Sequence, residues 1–353
     1  MGGDMGRLRR SAPVNRSRDR PDRFDAGSVG TASIPTVDYT STARRPGWDE
    51  LPAPVREAIV GRIGSVLGAV GAGSGVTPAF AATLTTASRE RVFVKAADLS
   101  TEFGQSIARE AAVLLLLPPA LPVPRLRWHT TVAGYAVACF DVIDGRMPGQ
   151  PWTRADLALA LDAIAVLADA LGKPSAELVA VSDEGSFSAH CAAYVDTWRR
   201  VRDGCQPMPD APHVAVHLSE LVELETFLPQ ATAGATGLIH FDLRPDNILM
   251  AGGEAVVLDW NWIRPGPAWV DTVMLLVSAV GQHDCDALLR AHPTTADVPA
   301  DHIDAVLAGL GGAALEASDR PPVPTSPFLR VHQRRCGLLV IDWLAHRRGW
   351  AGR

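Results

Sequence analysis

The sequence predicts an α+β chain in two lobes, a small β-rich one followed by a larger, mainly helical one. Three observations carry this reading. Short apolar runs broken by turn residues crowd together before residue 141, and stretches of helical periodicity dominate after residue 152. Within the second part lies Gly237-Leu238-Ile239-His240-Phe241-Asp242-Leu243-Arg244-Pro245-Asp246-Asn247-Ile248-Leu249-Met250, with Val256-Val257-Leu258-Asp259-Trp260 close behind. That stretch reads as a tight loop between two short buried strands, with an acidic residue ending the next strand. Such a loop gathers Asp242, Asn247 and Asp259 into one small volume. Two carboxylates and an amide oxygen are hard donors, suited to magnesium bound to phosphates. Asp242 sits where a base accepts the proton of an attacking hydroxyl. The plainer alternative is a turn formed by Asp246 and Asn247 after Pro245.

The chain has 353 residues, enough for one large two-lobed domain or two ordinary ones, and 47% hydrophobic residues supply a sizeable core. A net charge of −6 argues against general nucleic-acid binding. The five cysteines, Cys139, Cys191, Cys205, Cys285 and Cys336, form no CxxC pair, so free thiols in a reducing cytoplasm are expected. No apolar run reaches membrane-spanning length, and residues 1–30 lack the apolar core of a secretory signal.

Residues 1–45 are rich in Arg, Asp, Ser, Gly and Pro without a period, predicting a disordered tail. An Arg-rich tail can touch RNA or acidic lipid, but a solvated tail is the simpler expectation. Residues 48–67 carry a helical pattern: Pro52 and Pro54 suit its start, and Val55, Ile59, Ile63 and Leu67 recur at i+4 spacing. Next comes Gly71-Ala72-Gly73-Ser74-Gly75-Val76-Thr77-Pro78, small residues between two strands. It is either a plain turn or a place where backbone N–H groups at Gly73, Ser74 and Gly75 approach phosphates.

Residues 91–96 read as a buried strand in which Phe93 and Lys95 share a face. Lysine is rare here, occurring only as Lys95 and Lys173. A lysine inside an apolar strand suggests a need for a compact ammonium rather than a planar fork, the plainer alternative being an exposed lysine on an edge strand. Ser100 or Thr101 can cap a helix to about residue 117, packed through Ile107, Ala111, Leu114 and Leu115. Glu110 then points inward to pair with Lys95. Glu102 is the alternative partner, although a first-turn carboxylate mainly complements the helix dipole.

Residues 126–128 and 135–140 form a hairpin around Gly134, and residues 141–145 leave the strand. Helices are predicted at 153–171, capped by Thr153, and at 187–202, 218–228, 273–280, 284–291, 301–309 and 327–347. Asp271 caps the 273–280 helix. Trp260, Trp262 and Trp269 are expected in the core or a wall. The last helix carries Arg330, Arg334, Arg335, Arg347 and Arg348, expected as a solvated basic face.

The pattern His240-x-Asp242-x-x-x-x-Asn247 followed by Asp259 resembles the catalytic loop of the protein-kinase-like fold. The closest resemblance is to the aminoglycoside phosphotransferase family of small-molecule kinases, with His-Gly-Asp-Leu-x-Pro-x-Asn and then Asp before Trp or Phe. Phe241 stands at the Gly position. The resemblance is close over about residues 48–290 and loose beyond. It implies a nucleotide-binding N-lobe at 46–141 and a C-lobe at 142–353 holding the catalytic loop, the metal site and the substrate helices. It implies further that Lys95, oriented by Glu110, meets the α- and β-phosphates. The glycine loop would cover the phosphates, and the backbone at Phe140 and Val142 would meet the adenine edge. Phe93, where protein kinases have a small residue, would stack on the base or crowd it. Asn247 and Asp259 would bind Mg2+, Asp242 would be the base, and Arg244 would meet the transferring phosphoryl group. Asp271 would brace the loop, and His240 would be structural.

The implied reaction is transfer of the γ-phosphoryl group of ATP or GTP to a hydroxyl of a small molecule. The acceptor could be an aminoglycoside, another sugar, an amino alcohol, a macrolide or a peptide antibiotic, so antibiotic resistance is one reading among several. Acids at 153–190 and 284–304 could line a cleft for a polycation, whereas the last helix is basic. Only eleven residues separate Asp259 from Asp271, and neither Asp-Phe-Gly nor Ala-Pro-Glu occurs there, which argues against a protein kinase. The competing class is a non-catalytic nucleotide-binding module of the same fold. A third reading has the Arg-rich tail acting on RNA or a membrane. The sequence does not fix the oligomeric state.

Overall fold

Helix α1 (Ala53–Ile63) starts after Pro52, and Gly64 ends it with a φ of +85° that favours glycine. Val55 and Ile59 are buried as expected. Leu67, read as the end of that apolar stripe, lies instead in strand β1 (Val66–Gly71) and is 63% exposed. The i+4 spacing continued across a helix stop that only Gly64 signals. The structure, a computed structural model, describes residues 34–37, 43–73, 75, 77–182 and 185–350. Within the segment read as a tail, Ile34 packs against the larger core and Arg44 and Arg45 make ordered contacts. The rest of that reading, outside 34–37 and 43–45, lies outside the described residues.

Strands β2 (Phe80–Thr86) and β3 (Arg91–Asp98) are followed by helix α2 (Glu102–Leu116) and the hairpin of β4 (Leu126–Val132) and β5 (Tyr135–Asp141). The five strands form one antiparallel sheet in the order β1-β2-β3-β5-β4. Val92, Val94 and Ala96 of β3 join Val55, Ile59, Leu84, Val137 and Cys139 in the smaller core. Alternation then sends Phe93 and Lys95 to the other face. Thr101 caps α2, its hydroxyl accepting from the Gly104 N–H at 3.2 Å, while Ser100 bonds Asp98. Gly104 is required there, since a Cβ would lie 2.1 Å from the Asp98 carbonyl oxygen.

The larger core fills the larger lobe and continues into the smaller one through Ile107, Ala111, Leu114 and Ala138. The larger lobe contains α3 (Arg154–Leu171), α4 (Ala176–Val181), α5 (Phe187–Tyr194), α6 (Thr197–Arg202) and α7 (Leu218–Ala231). Beyond α7 come β6 (Leu238–Ile239), β7 (Ile248–Ala251), β8 (Glu254–Val257), β9 (Arg264–Pro265), α8 (Trp269–Val277), α9 (Cys285–Ala291), α10 (Ala300–Ser318) and α11 (Leu329–Arg348). Thr153 caps α3 as expected.

Helix α4 has no counterpart in the sequence reading, and α8 starts four residues before 273. Three more helices depart from that reading. The helix read over 187–202 breaks at Val195 and Asp196 because α6 starts afresh on a remote partner. The N–H groups of Trp198 and Arg199 donate to the buried Glu225 carboxylate of α7 at 3.1 and 3.0 Å. Helix α10 runs nine residues past its expected end at 309, through Gly309, Gly311 and Gly312. These glycines are packing positions: a Cβ on Gly311 would lie 2.9 Å from Ile341 of α11, and one on Gly312 3.0 Å from Trp198. The basic end of α11 is half-buried and ion-paired rather than a free solvated face. Arg347 pairs with Asp286 and Asp304, and Arg348 with Glu220, Asp301 and Asp304. Among the described residues no helix is long and apolar enough to cross a membrane.

Candidate active site

Strands β6 and β9 pair and hold the start of the loop, and the β7–β8 hairpin holds its end. Between them the chain must turn sharply. Phe241 takes a φ of +68° and Asp259 a φ of +61°, both in the left-handed region. Such a conformation costs an ordinary residue about 1–2 kcal/mol. At Phe241 the offset is packing: the ring sits under the Arg264 guanidinium at 4.3 Å and meets Phe187 and His190 edge-on at 5.3 and 5.5 Å.

Asp271 lies in the first turn of α8, but its carboxylate does not cap that helix. It accepts from the backbone N–H groups of His240 and Phe241 at 2.7 and 2.9 Å, so it braces the loop. His240 is buried, its Nδ1 accepting from the Asp242 N–H at 3.2 Å. The neutral ring then donates through Nε2 to the Leu258 carbonyl at 2.8 Å. Burial lowers its pKa against the pull of Asp271, consistent with that neutral state.

Asn247 donates through Nδ2 to the backbone carbonyl and Oδ2 of Asp242, at 2.8 and 2.9 Å. This fixes the Asp242 carboxylate and leaves the Asn247 amide oxygen for the cleft that the residue lines. Burial pushes the Asp242 carboxyl up to about 6; Arg244 opposes the shift, while Asp246 and Asp259 reinforce it. Arg244 is held between acids, with Nε 3.2 Å from Asp246 Oδ1 and 3.6 Å from Asp242 Oδ1. It sits beside the Asp242 carboxylate, and neither Arg244 nor Asp242 is among the cleft-lining residues.

Lys95 reaches both oxygens of Glu110, at 2.9 and 2.8 Å, and also bonds Asp259. Burial disfavours the ammonium, but the Asp259 and Glu110 carboxylates outweigh that and raise its pKa above the ordinary lysine value. Glu102, the alternative partner, stays in the first turn of α2. Small neighbours make room for the lysine: Ala81 and Ala138 flank it on the adjacent strands.

Lys95, Glu110, Asn247 and Asp259 meet in a cleft of about 320 Å³. Its lining also includes Phe140 at the end of β5 and Val142 on the connection that follows. Phe93 and Phe140 form one wall, with ring centroids 6.4 Å apart. Gly75 lines the cleft at a φ of +85°, whereas Gly73 is exposed and not among the lining residues, and Ser74 lies outside the described residues. Asp259 and Asn247 give two oxygen donors at one end. Magnesium fits so sparse a set, because it completes its shell with water and phosphate oxygens.

Two residues of the cleft were not singled out from the sequence. Asp246, read as a turn former, is buried and holds Arg244. Arg45 enters from the N-terminal segment and donates to the Thr77 and Ala79 carbonyls at 2.6 and 3.1 Å. Nothing local marks it among so many arginines. The acids proposed for a polycation are in part engaged elsewhere: Asp286, Asp301 and Asp304 hold the arginines of α11, and Asp156 holds Arg146 at 2.8 Å. Trp260 and Trp269 are buried, whereas Trp262 is 43% exposed.

Residues 68–302 match the model of the phosphotransferase enzyme family. No curated protein sequence matches. Among solved structures, one similar chain is a thermostable mutant of aminoglycoside phosphotransferase APH(4)-Ia in ternary complex with ADP and hygromycin B. It has a TM-score of 0.56 and 14% identity over 82% of this chain and 98% of that one. Choline kinase LicA from Streptococcus pneumoniae has a TM-score of 0.54 and 15% identity over 83% and 98%. The streptomycin–ATP–APH(2")-IIa complex has a TM-score of 0.52 and 12% identity over 84% and 97%. Such identities speak for the two-lobed kinase-like fold, and the family match covers nearly all of the sheet, the catalytic loop and every described cleft-lining residue except Arg45. The chain belongs to the phosphotransferase enzyme family and is a phosphotransferase with an alcohol group as acceptor.

Proposed function

We propose that this phosphotransferase moves the γ-phosphoryl group of ATP or GTP to a hydroxyl of a small molecule, with Asp242 as the base. One observation carries the reading: the Lys95–Glu110 pair, Asp259 and Asn247 line one cleft, and Asn247 fixes the Asp242 carboxylate. Lys95 would hold the α- and β-phosphates while Glu110 keeps its ammonium in place. Phe93, Phe140 and Val142 would receive the base, and Gly75 would let the loop backbone come close to the phosphates. Asn247 and Asp259 would hold Mg2+, which supplies charge neutralisation for the phosphates. Asp242 would orient the acceptor hydroxyl and take its proton, and Arg244 would keep that carboxylate aligned. Catalysis would then rest on positioning and charge stabilisation.

The solved relatives include complexes with hygromycin B and with streptomycin, and a choline kinase. An aminoglycoside or an amino alcohol is therefore a sensible first acceptor. Nucleoside-diphosphate release, measured with Mg2+ and ATP or GTP against a panel of hydroxyl-bearing compounds, tests the proposal and selects the nucleotide. Acceptor-dependent release supports it. Magnesium-dependent nucleotide binding without release for any acceptor would favour the non-catalytic module.

A further inference from the structure

The cleft is short of positive charge for a nucleoside triphosphate. Its described lining carries four acids, Glu110, Asp141, Asp246 and Asp259, and two cations, Lys95 and Arg45. The Lys95 ammonium is already shared between Glu110 and Asp259. Arg45 lies outside the matched residues 68–302, yet it reaches the glycine loop. Its Nη1 donates to the Thr77 and Ala79 carbonyls, just before β2. Ala81, two residues on, pairs with Lys95 across the sheet. A Cβ on Gly75 would lie 2.8 Å from Arg45 Nη2, so the guanidinium fills the space beside that glycine.

The segment bearing Arg45 is anchored on the other lobe. The Arg44 N–H donates to the Thr325 carbonyl at 2.9 Å, and Arg335 of α11 donates to the Pro35 carbonyl at 3.0 Å. The arm thus runs from the C-terminal helical layer to the glycine loop and delivers a planar, always-charged fork. Such a fork suits phosphate oxygens better than an ammonium does.

We propose that Arg45 is a nucleotide-phosphate-binding residue, supplied to the cleft by this N-terminal arm. The inference rests on the kinase reading, and the test separates the two. Binding of ATP, GTP, ADP and adenosine to the full chain is measured by calorimetry with Mg2+, for wild type, Arg45→Ala, Arg45→Lys and Arg45→Gln. Arg45→Ala is expected to weaken ATP about 10–100-fold, the span of one or two charge-assisted hydrogen bonds, and to leave adenosine unchanged. Arg45→Lys should restore part of the loss, because it keeps the charge. Arg45→Gln keeps a donor for the loop carbonyls without the charge, so it carries the test should the alanine variant fail to fold. ATP binding at the wild-type level in Arg45→Ala or Arg45→Gln would overturn the assignment, as would equal losses for ATP and adenosine. Wild type binding neither ATP nor GTP would overturn the kinase reading itself, and Arg45's role with it.

Discussion

Phe241 shows how one side chain carries a strained turn. Its left-handed backbone costs about 1–2 kcal/mol, and its ring returns more through Arg264, Phe187 and His190. Two substitutions separate these effects. Phe241→Gly removes the strain and the packing together. Phe241→Ala removes the packing and keeps the strain. The stability order Phe, then Gly, then Ala is expected, with about 1 kcal/mol between the last two, read from denaturant midpoints. A variant with Ala at least as stable as the one with Gly would show that the backbone there is unstrained. Lys95 makes the complementary point. Alone it would be a costly buried charge; between Glu110 and Asp259 it stays protonated and ties β3, α2 and the chain after β8 together.

Helices α2 and α11 set the site from outside. Helix α2 can bring Glu110 to Lys95 only because its first turn closes on Asp98 through Gly104. Gly104→Ala would press a Cβ into the Asp98 carbonyl and is expected to destabilise the protein by about 3 kcal/mol or more, seen as a fall in Tm. On α11, His332 is buried near Arg244 and Arg335, with Cys336 Sγ 3.6 Å from its Nε2. Burial, with those two arginines adding to it, pushes the imidazole down to about 3 from an ordinary 6.5. The folded chain therefore refuses a proton that the unfolded chain takes up. Stability is full above 6.5 and falls as pH drops from there towards 3. His332→Gln should flatten this slope by about 2 kcal/mol between neutrality and about pH 5, measured by urea unfolding at each pH. An unchanged slope would place the imidazole in water.

Across the molecule, what could be read from the sequence was local. His240 to Asn247 is one short loop, so its residue types and spacing already fix which side chains meet. Lys95 stood out because lysine is scarce, and Glu110 because a carboxylate inside an apolar helix face needs a partner. What could not be read depends on remote partners. The break before α6 is made by Glu225, the length of α10 by glycines that meet Ile341 and Trp198, and the ion pairing of Arg347 and Arg348 by acids on three other helices. Arg45 belongs to the same class, since its place in the cleft follows from anchors at Thr325 and the glycine loop. The central claim is that Asp242 is the base of a phosphoryl transfer. The direct measurement is phosphorylated acceptor formed by wild type and by Asp242→Asn at saturating nucleotide, with nucleotide affinity and Tm recorded alongside. Turnover should fall about 10²–10⁴-fold in the variant. Nucleotide affinity should hold, and Tm should hold or rise, because a carboxyl raised to about 6 by burial is ionised at a cost at neutral pH. Phosphorylation at the wild-type rate in Asp242→Asn would contradict the account.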